Sequence, residues 1–321
     1  MPASFSTLRR RERQWAATYL QARSKVITAI DVIYKRVEIY SSAQIDPASY
    51  KSLGIDCQLL ELDDDGKHLQ PSNSDPSAPI FFEPRGVTWV APVRITDVEC
   101  EEEFKEITDG WESAKDDPLV QSFHSQVWFV YLGLERMFFQ FRREFYPKGD
   151  DRVPPNLRQI SKWWVHNTIY FRREILLGYL VLDAMVAGKP HTLIVILIED
   201  EPGEELFRAE VMILAAAMIT RLEGEECLEY NTIPVMAITI FGRMQARVLE
   251  AHSNQQELVV KKTQLLDFST NEVANKNMDI LLGFMAGDLV GDPRGPTVPM
   301  DTSTVGLSYI FDRLGKHADH K

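Results

Sequence analysis

His124, Trp128, Tyr131 and Glu135 follow one another at spacings of four, three and four residues; Trp163, His166, Tyr170 and Arg173 do so at three, four and three. In a helix such spacings set each quartet on one face. Each face then carries an imidazole and a phenol beside an indole, with a carboxylate on one and a guanidinium on the other. Imidazole titrates near neutrality and moves protons in either direction, and a partly buried carboxylate has its pKa raised into a useful range. Two such stripes side by side would wall a pocket whose polar tips converge.

The chemistry expected of that pocket is general acid–base catalysis without a cofactor, acting on a small apolar or aromatic metabolite as a lyase, isomerase or cyclase. His124 and His166 would carry protons, with Glu135 and Asp183 as acids. Tyr131 and Tyr170 would orient the substrate, Trp128 and Trp163 would wall it, and Arg173 would pair with an anion. No metal enters this scheme. The plainer alternative is that aromatics at helical spacing are core, and that a single His among them is a hydrogen-bonded core residue.

Asp183 lies inside LLGYLVLDAMVA, with Tyr179 one turn earlier and Arg172 three turns earlier on the same expected face. A carboxylate there is costly unless it is paired. Glu199-Asp200-Glu201 closes an apolar run of strand length, where sites in α/β sheets gather and where oxygen ligands suit a divalent ion. The alternative is an acidic turn that opens the next helix. Asp63-Asp64-Asp65-Gly66 reads as a solvated turn.

These residues need elements to hold them. Apolar positions from Leu8 to Ile39 recur at three- and four-residue intervals, which predicts a long amphipathic helix. Residues 41–118 combine short apolar alternation with Pro, Ser, Asn and Asp, and PIFFE and VTWVAPVRI predict two strands around Pro84-Arg85-Gly86. The first stripe belongs to a helix over 119–146. The second belongs to a helix from Asn156 to about Ala187, ended by Gly188 and Pro190. HTLIVILIED predicts a buried strand, and GEELFRAEVMILAAAMITRLEG a helix with Glu204 and Glu205 in its first turn. TIPVMAITI, RVLEAHS and ELVVKKTQL predict three strands, and a closing helix follows with Ser269 as N-cap. The fold expected is α+β, long aromatic-rich helices packed against a small mixed β-sheet. An N-terminal helix and β-rich segment would occupy 1–118 and an α+β core 119–321.

A helix, three strands and a helix are also similar in order to the core of restriction-type nucleases. That chemistry needs an acid on the second strand, and a carboxylate two residues before a Lys on the third. Glu250 supplies the first, but Glu257 and Lys261 are four apart. The rival expectation is therefore a non-catalytic protein-interaction module with a degenerate nuclease-like core, docking through its acidic surface or an exposed TIPVMAITI edge. Signatures of nucleotide-binding loops, zinc proteases and α/β-hydrolases are absent from the sequence.

Between Thr232 and Phe268, the stretches Ile233-Pro234-Val235, Gly242-Arg243, Arg247-Val248-Leu249-Glu250-Ala251-His252, Leu258-Val259-Val260 and Leu266-Asp267-Phe268 resemble a group of uncharacterised filamentous-fungal proteins. The resemblance covers roughly the C-terminal half. It implies a shared core and a fungal source, and it transfers no active-site residue.

Composition narrows the partners. A net charge of −12 repels phosphate backbones at long range, so the expected partner is a small molecule rather than a nucleic acid. Three dispersed cysteines, Cys57, Cys100 and Cys227, build neither a disulfide framework nor a metal knuckle, which favours a reducing compartment. The opening MPASFSTLRRRERQW has no apolar core of a secretory signal, and no run reaches the roughly 18 apolar residues of a membrane span. The expectation is a cytoplasmic protein that does not enter membranes.

Overall fold

A computed structural model describes residues 5–69, 79–90, 98–145, 181–183, 190–224, 230–254 and 256–294. In chain order the elements are α1 (Phe5–Glu38), α2 (Tyr50–Leu53), β1 (Ile55–Leu59), β2 (Phe82–Glu83), α3 (Val87–Val90), α4 (Val98–Asp116) and α5 (Phe123–Phe145). There follow β3 (Val181–Asp183), β4 (Thr192–Ile198), α6 (Arg208–Glu223), β5 (Val235–Phe241), β6 (Gln245–Ser253), β7 (Leu258–Lys262), β8 (Leu266–Asp267), α7 (Asn271–Met285) and β9 (Asp288–Leu289). The fold is α+β around a mixed sheet.

Strand order is β1-β7-β6-β5-β4-β3, with β8 alongside β6. β4 and β5 are parallel and joined through α6, whereas β5, β6 and β7 form an antiparallel meander. Every residue of β4 and β5 is buried, as their unbroken apolar runs require of strands covered on both faces. One face carries Ile194, Ile196, Val235, Ala237, Leu249 and Val260 against α1 and α6. The other carries Leu193, Val195, Leu197, Ile238 and Val248 against α5 and α7. Each large aliphatic side chain so buried contributes about 1.5–3 kcal/mol.

The amphipathic N-terminal helix forms, burying Val26, Ile30, Ile33 and Val37. Arg23 fixes its place. The guanidinium, 4% exposed, donates to the carbonyls of Leu222 (2.6 Å) and Tyr230 (2.8 Å), so a cation sits at the C-terminal end of α6.

The region between α1 and α5 differs from its expected β-rich form. β1 joins the main sheet, parallel to β7. PIFFE supplies only the two residues of β2, and these pair with β9 instead of with the segment after the turn. VTWV is helical, because the Asp65 carbonyl and carboxylate accept from Val87 N–H (2.7 Å) and Thr88 N–H (2.8 Å) and so start α3.

Four further expectations are corrected. Residues 181–183 are an edge strand antiparallel to β4, so the helix predicted to run to Ala187 does not include them. α6 opens at Arg208, with Glu204 and Glu205 ahead of it; the acid of its first turn is Glu210, whose carboxylate accepts from Phe207 N–H at 2.8 Å. α7 is capped by Thr270 rather than Ser269, whose hydroxyl donates to Asp267. The TIPVMAITI segment is not an edge either, since β5 lies between β4 and β6.

Candidate functional site

α5 meets the sheet through Val127, Val130, Leu134, Met137 and Phe138, all essentially inaccessible. Gly133 is required on this seam, because a Cβ there would lie 2.9 Å from the ring of Trp111, a fully buried side chain from α4. The helix start is fixed by the turn joining β5 to β6. A Cβ at Gly242 would come within 2.6 Å of the Phe123 ring and 2.8 Å of the Asp200 carbonyl oxygen, so only glycine admits this approach. The next two residues, Arg243 and Met244, are left-handed (φ 56° and 52°), an uncommon and strained state for side-chain-bearing residues. Arg243 N–H donates to Gln126 Oε1 at 2.6 Å, and its guanidinium pairs with Glu201 at 2.7 Å.

This docking brings His124 to the carboxyl end of β4. Its Nδ1 lies 2.6 Å from Glu199 Oε1. The glutamate side chain is 12% exposed and the imidazole 55% exposed. A carboxylate only accepts, so Nδ1 carries the proton of this contact. Trp128 is half-buried beside the imidazole at 6.3 Å between ring centres, and Tyr131 meets Trp128 edge-on at 5.5 Å. The Tyr131 hydroxyl donates to Glu135 Oε1 at 3.1 Å. Burial, with the Glu135 carboxylate beside it, pushes the Tyr131 phenol up, so it remains a donor at neutral pH.

The first stripe therefore exists as a row of touching side chains at the margin of the core. His124 and Glu135 stand at its opposite ends, about 16 Å apart along the axis, and do not form a pair. The carboxylate that serves His124 is Glu199, which the helical spacing did not point to. Of the other site residues, His166, Trp163, Tyr170 and Arg173 lie outside the described residues, as do Tyr179 and Arg172. Asp183 is placed only as the last residue of edge strand β3. The acidic run after β4 is engaged by protein groups: Glu199 with His124, Glu201 with Arg243, and Asp200 Oδ1 with the Glu201 N–H. Asp63 closes its own turn, its carboxylate accepting from the N–H of Asp65 and Lys67.

A second polar group occupies the same sheet face at its other end. Glu250 on β6 is in register with Met236 on one side and with Lys261 on the other. Glu257 precedes β7 and is not part of that pair. Glu250, His252 and Lys261 line a small cavity of about 10 Å³, closed by Pro79, Phe81 and Phe82. Outside that lining, His68 Nε2 forms an ion-pair contact with Glu250 Oε1 at 2.9 Å. The angles of this ion pair fall outside hydrogen-bond geometry. Burial drives the His252 pKa down to about 4, aided by Lys261 and opposed by Asp56, so this imidazole is neutral at pH 7. No group of three or more His, Cys, Asp or Glu among the described residues is arranged to hold a metal. Among them, too, no helix is long and apolar enough to cross a membrane.

Compared with known proteins, the chain matches no family model, no curated protein and no solved structure.

Proposed function

We propose that the protein is a cofactor-independent general acid–base enzyme, with His124 as the proton carrier and Glu199 as the carboxylate that orients it. One observation carries this reading: a 2.6 Å imidazole–carboxylate contact at the end of a parallel strand, its acid nearly buried and its imidazole open to solvent. An imidazole fixed at Nδ1 presents Nε2 as a base, and after taking a proton it is a general acid. The neighbouring carboxylate stabilises the imidazolium formed on the way. Trp128 offers a flat apolar face beside this base, and the Tyr131 hydroxyl, tied to Glu135, bounds that face at the next turn of the helix. A small aromatic or unsaturated metabolite suits such a surface, stacking on the indole while Nε2 moves a proton.

A thermal-shift screen of aromatic metabolites, followed by turnover assays on the compounds that bind, tests the reading. Binders should lose their shift in Trp128→Ala. Turnover should fall at least about 100-fold in His124→Ala and less in Glu199→Gln, the range expected for removing a general base and its orienting partner. Binders and turnover that are indifferent to all three substitutions would dispose of the proposal.

A further inference from the structure

We infer that the outer margin of β1 is a self-association surface, on which a second copy of this chain lays its own β1 antiparallel across a two-fold axis at Gln58. This surface is separate from the His124–Glu199 pair and does not depend on its role. β1 ends the main sheet, with β7 on its inner side only. Leu258 N–H donates to the Gly54 carbonyl at 2.9 Å and Leu60 N–H to the Lys262 carbonyl at 2.7 Å, so the even-numbered residues face β7. Alternation then turns the N–H and C=O groups of Ile55, Cys57 and Leu59 outward. Among the described residues, none of these groups meets a hydrogen-bond partner. Exposure rises along the strand from buried Ile55 to Leu59, 50% exposed, so its accessible stretch runs from Cys57 to Leu59.

An open margin is a template for another strand, and proteins blunt it with short length, charge, lysine or proline. β3, at the opposite end of the sheet, is three residues long and ends on Asp183. β1 has five residues, neither Lys nor Pro among them, and a half-exposed leucine at its accessible end. Its sequence also fits itself. With the axis at Gln58, Cys57 of each copy faces Leu59 of the other, each such pair exchanging both of its N–H···O=C bonds. Gln58 meets its own symmetry mate as a non-hydrogen-bonded pair, the arrangement in which side chains come closest. One hydrogen of its Nε2 is held by Asp56 Oδ2 at 2.7 Å, leaving the other hydrogen and Oε1 for the mate's amide. An axis at Asp56 would instead set two carboxylates face to face and engage the buried Ile55. A patch this short falls below the roughly 1,000 Å² of a firm interface, so dissociation at about 10–100 µM is expected.

Sedimentation of the full chain under reducing conditions, from about 5 to 500 µM, tests the inference. The parent should pass from monomer to dimer across that range. Leu59→Pro, which removes an outward N–H and no bond to β7, should weaken the dimer at least about tenfold. Gln58→Glu and Gln58→Lys should each weaken it at least about threefold by setting like charges on the axis, and an equimolar mixture of the two should recover it. Should Leu59→Pro not fold, the Gln58 variants and their mixture decide alone. A parent that stays monomeric throughout overturns the proposal and leaves the margin to a strand from another protein. A dimer indifferent to all three substitutions, or Gln58 variants that mixing does not restore, overturns it too.

Discussion

Glu210 and Glu250 are both buried acids within the same sheet-and-helix frame, and they are treated in opposite ways. Glu210, fully inaccessible, receives Arg247 Nε at 2.9 Å, an Arg247 Nη2 contact on its other oxygen, and the Phe207 N–H. Arg247 in turn donates to the carbonyls of Gly203 and Glu205 and stacks over the Phe241 ring. Every polar atom of that cluster has a protein partner, as a purely structural charge requires. Glu250, on the opposite face, has one ion-pair contact, with the His68 imidazole at 2.9 Å, among the described residues. Glu199 falls between them, nearly buried with one imidazole partner that is itself open to solvent. A carboxylate completed by several protein donors holds the fold, whereas one with a single imidazole partner contributes less to it.

The sharpest way to break this contrast is to remove Arg247. Arg247→Met should cost about 3–5 kcal/mol in urea unfolding, because it strands the Glu210 charge, and adding Glu210→Leu should recover most of the loss. A cost under about 1 kcal/mol would mean that the ion pair is not the tie described. Next in size is Gly242→Ala, which forces Phe123 or the Asp200 carbonyl aside and should cost about 1–3 kcal/mol. Its His124 imidazole resonances should also lose the signature of the Glu199 contact, and an unchanged spectrum would separate the turn from the site. Glu250→Gln should alter stability by no more than about 1 kcal/mol, far below the effect at Arg247. Equal losses at both positions would erase the distinction.

The smallest effect concerns an acid at the surface. Lys67, followed by the Thr88 N–H, holds the Asp65 carboxyl down to about 2, below its ordinary 3.8. A carboxyl lowered in the folded state contributes stability that is complete above pH 3.8 and lost as pH falls towards 2. Asp65→Asn should therefore flatten a shallow acid limb of the stability curve in that window, solvent screening keeping the change small. An acid limb identical in parent and variant would contradict the assignment.

Much of the fold was legible because its signals are local. The unbroken apolar run of β4, the meander after residue 234 and the three- and four-residue rhythm of α1 each state their structure within one stretch. What misled was settled from far away. VTWV alternates like a strand, yet it is helical because Asp65, more than twenty residues earlier, receives its first N–H groups. PIFFE does become a strand, but its partner lies some two hundred residues later. The TIPVMAITI run forms a strand but not an edge, because an apolar run on both faces is the mark of an interior strand.

The candidate site divides in the same way. His124, Trp128, Tyr131 and Glu135 share a face as their spacing requires. Glu199, 75 residues from His124 along the chain, could not be paired with it by any spacing rule. Arg247 and Glu210 left a fainter trace, each a charge flanked by apolar residues in β6 or α6. The residue in register with Lys261 is Glu250 on the neighbouring strand, which the spacing of Glu257 and Lys261 along one strand does not reveal.

The parallel pairing of β1 with β7 joins Ile55 to Leu258, about two hundred residues along the chain. At roughly 5–20 residues per second, a ribosome would need on the order of 10–40 seconds to deliver the second strand after the first has emerged. Throughout that interval the apolar side of α1 and the open margin of β1 lack their final cover. Newly made chains should therefore lean on chaperones during the wait, and slowing translation between residues 60 and 258 should lower the soluble yield.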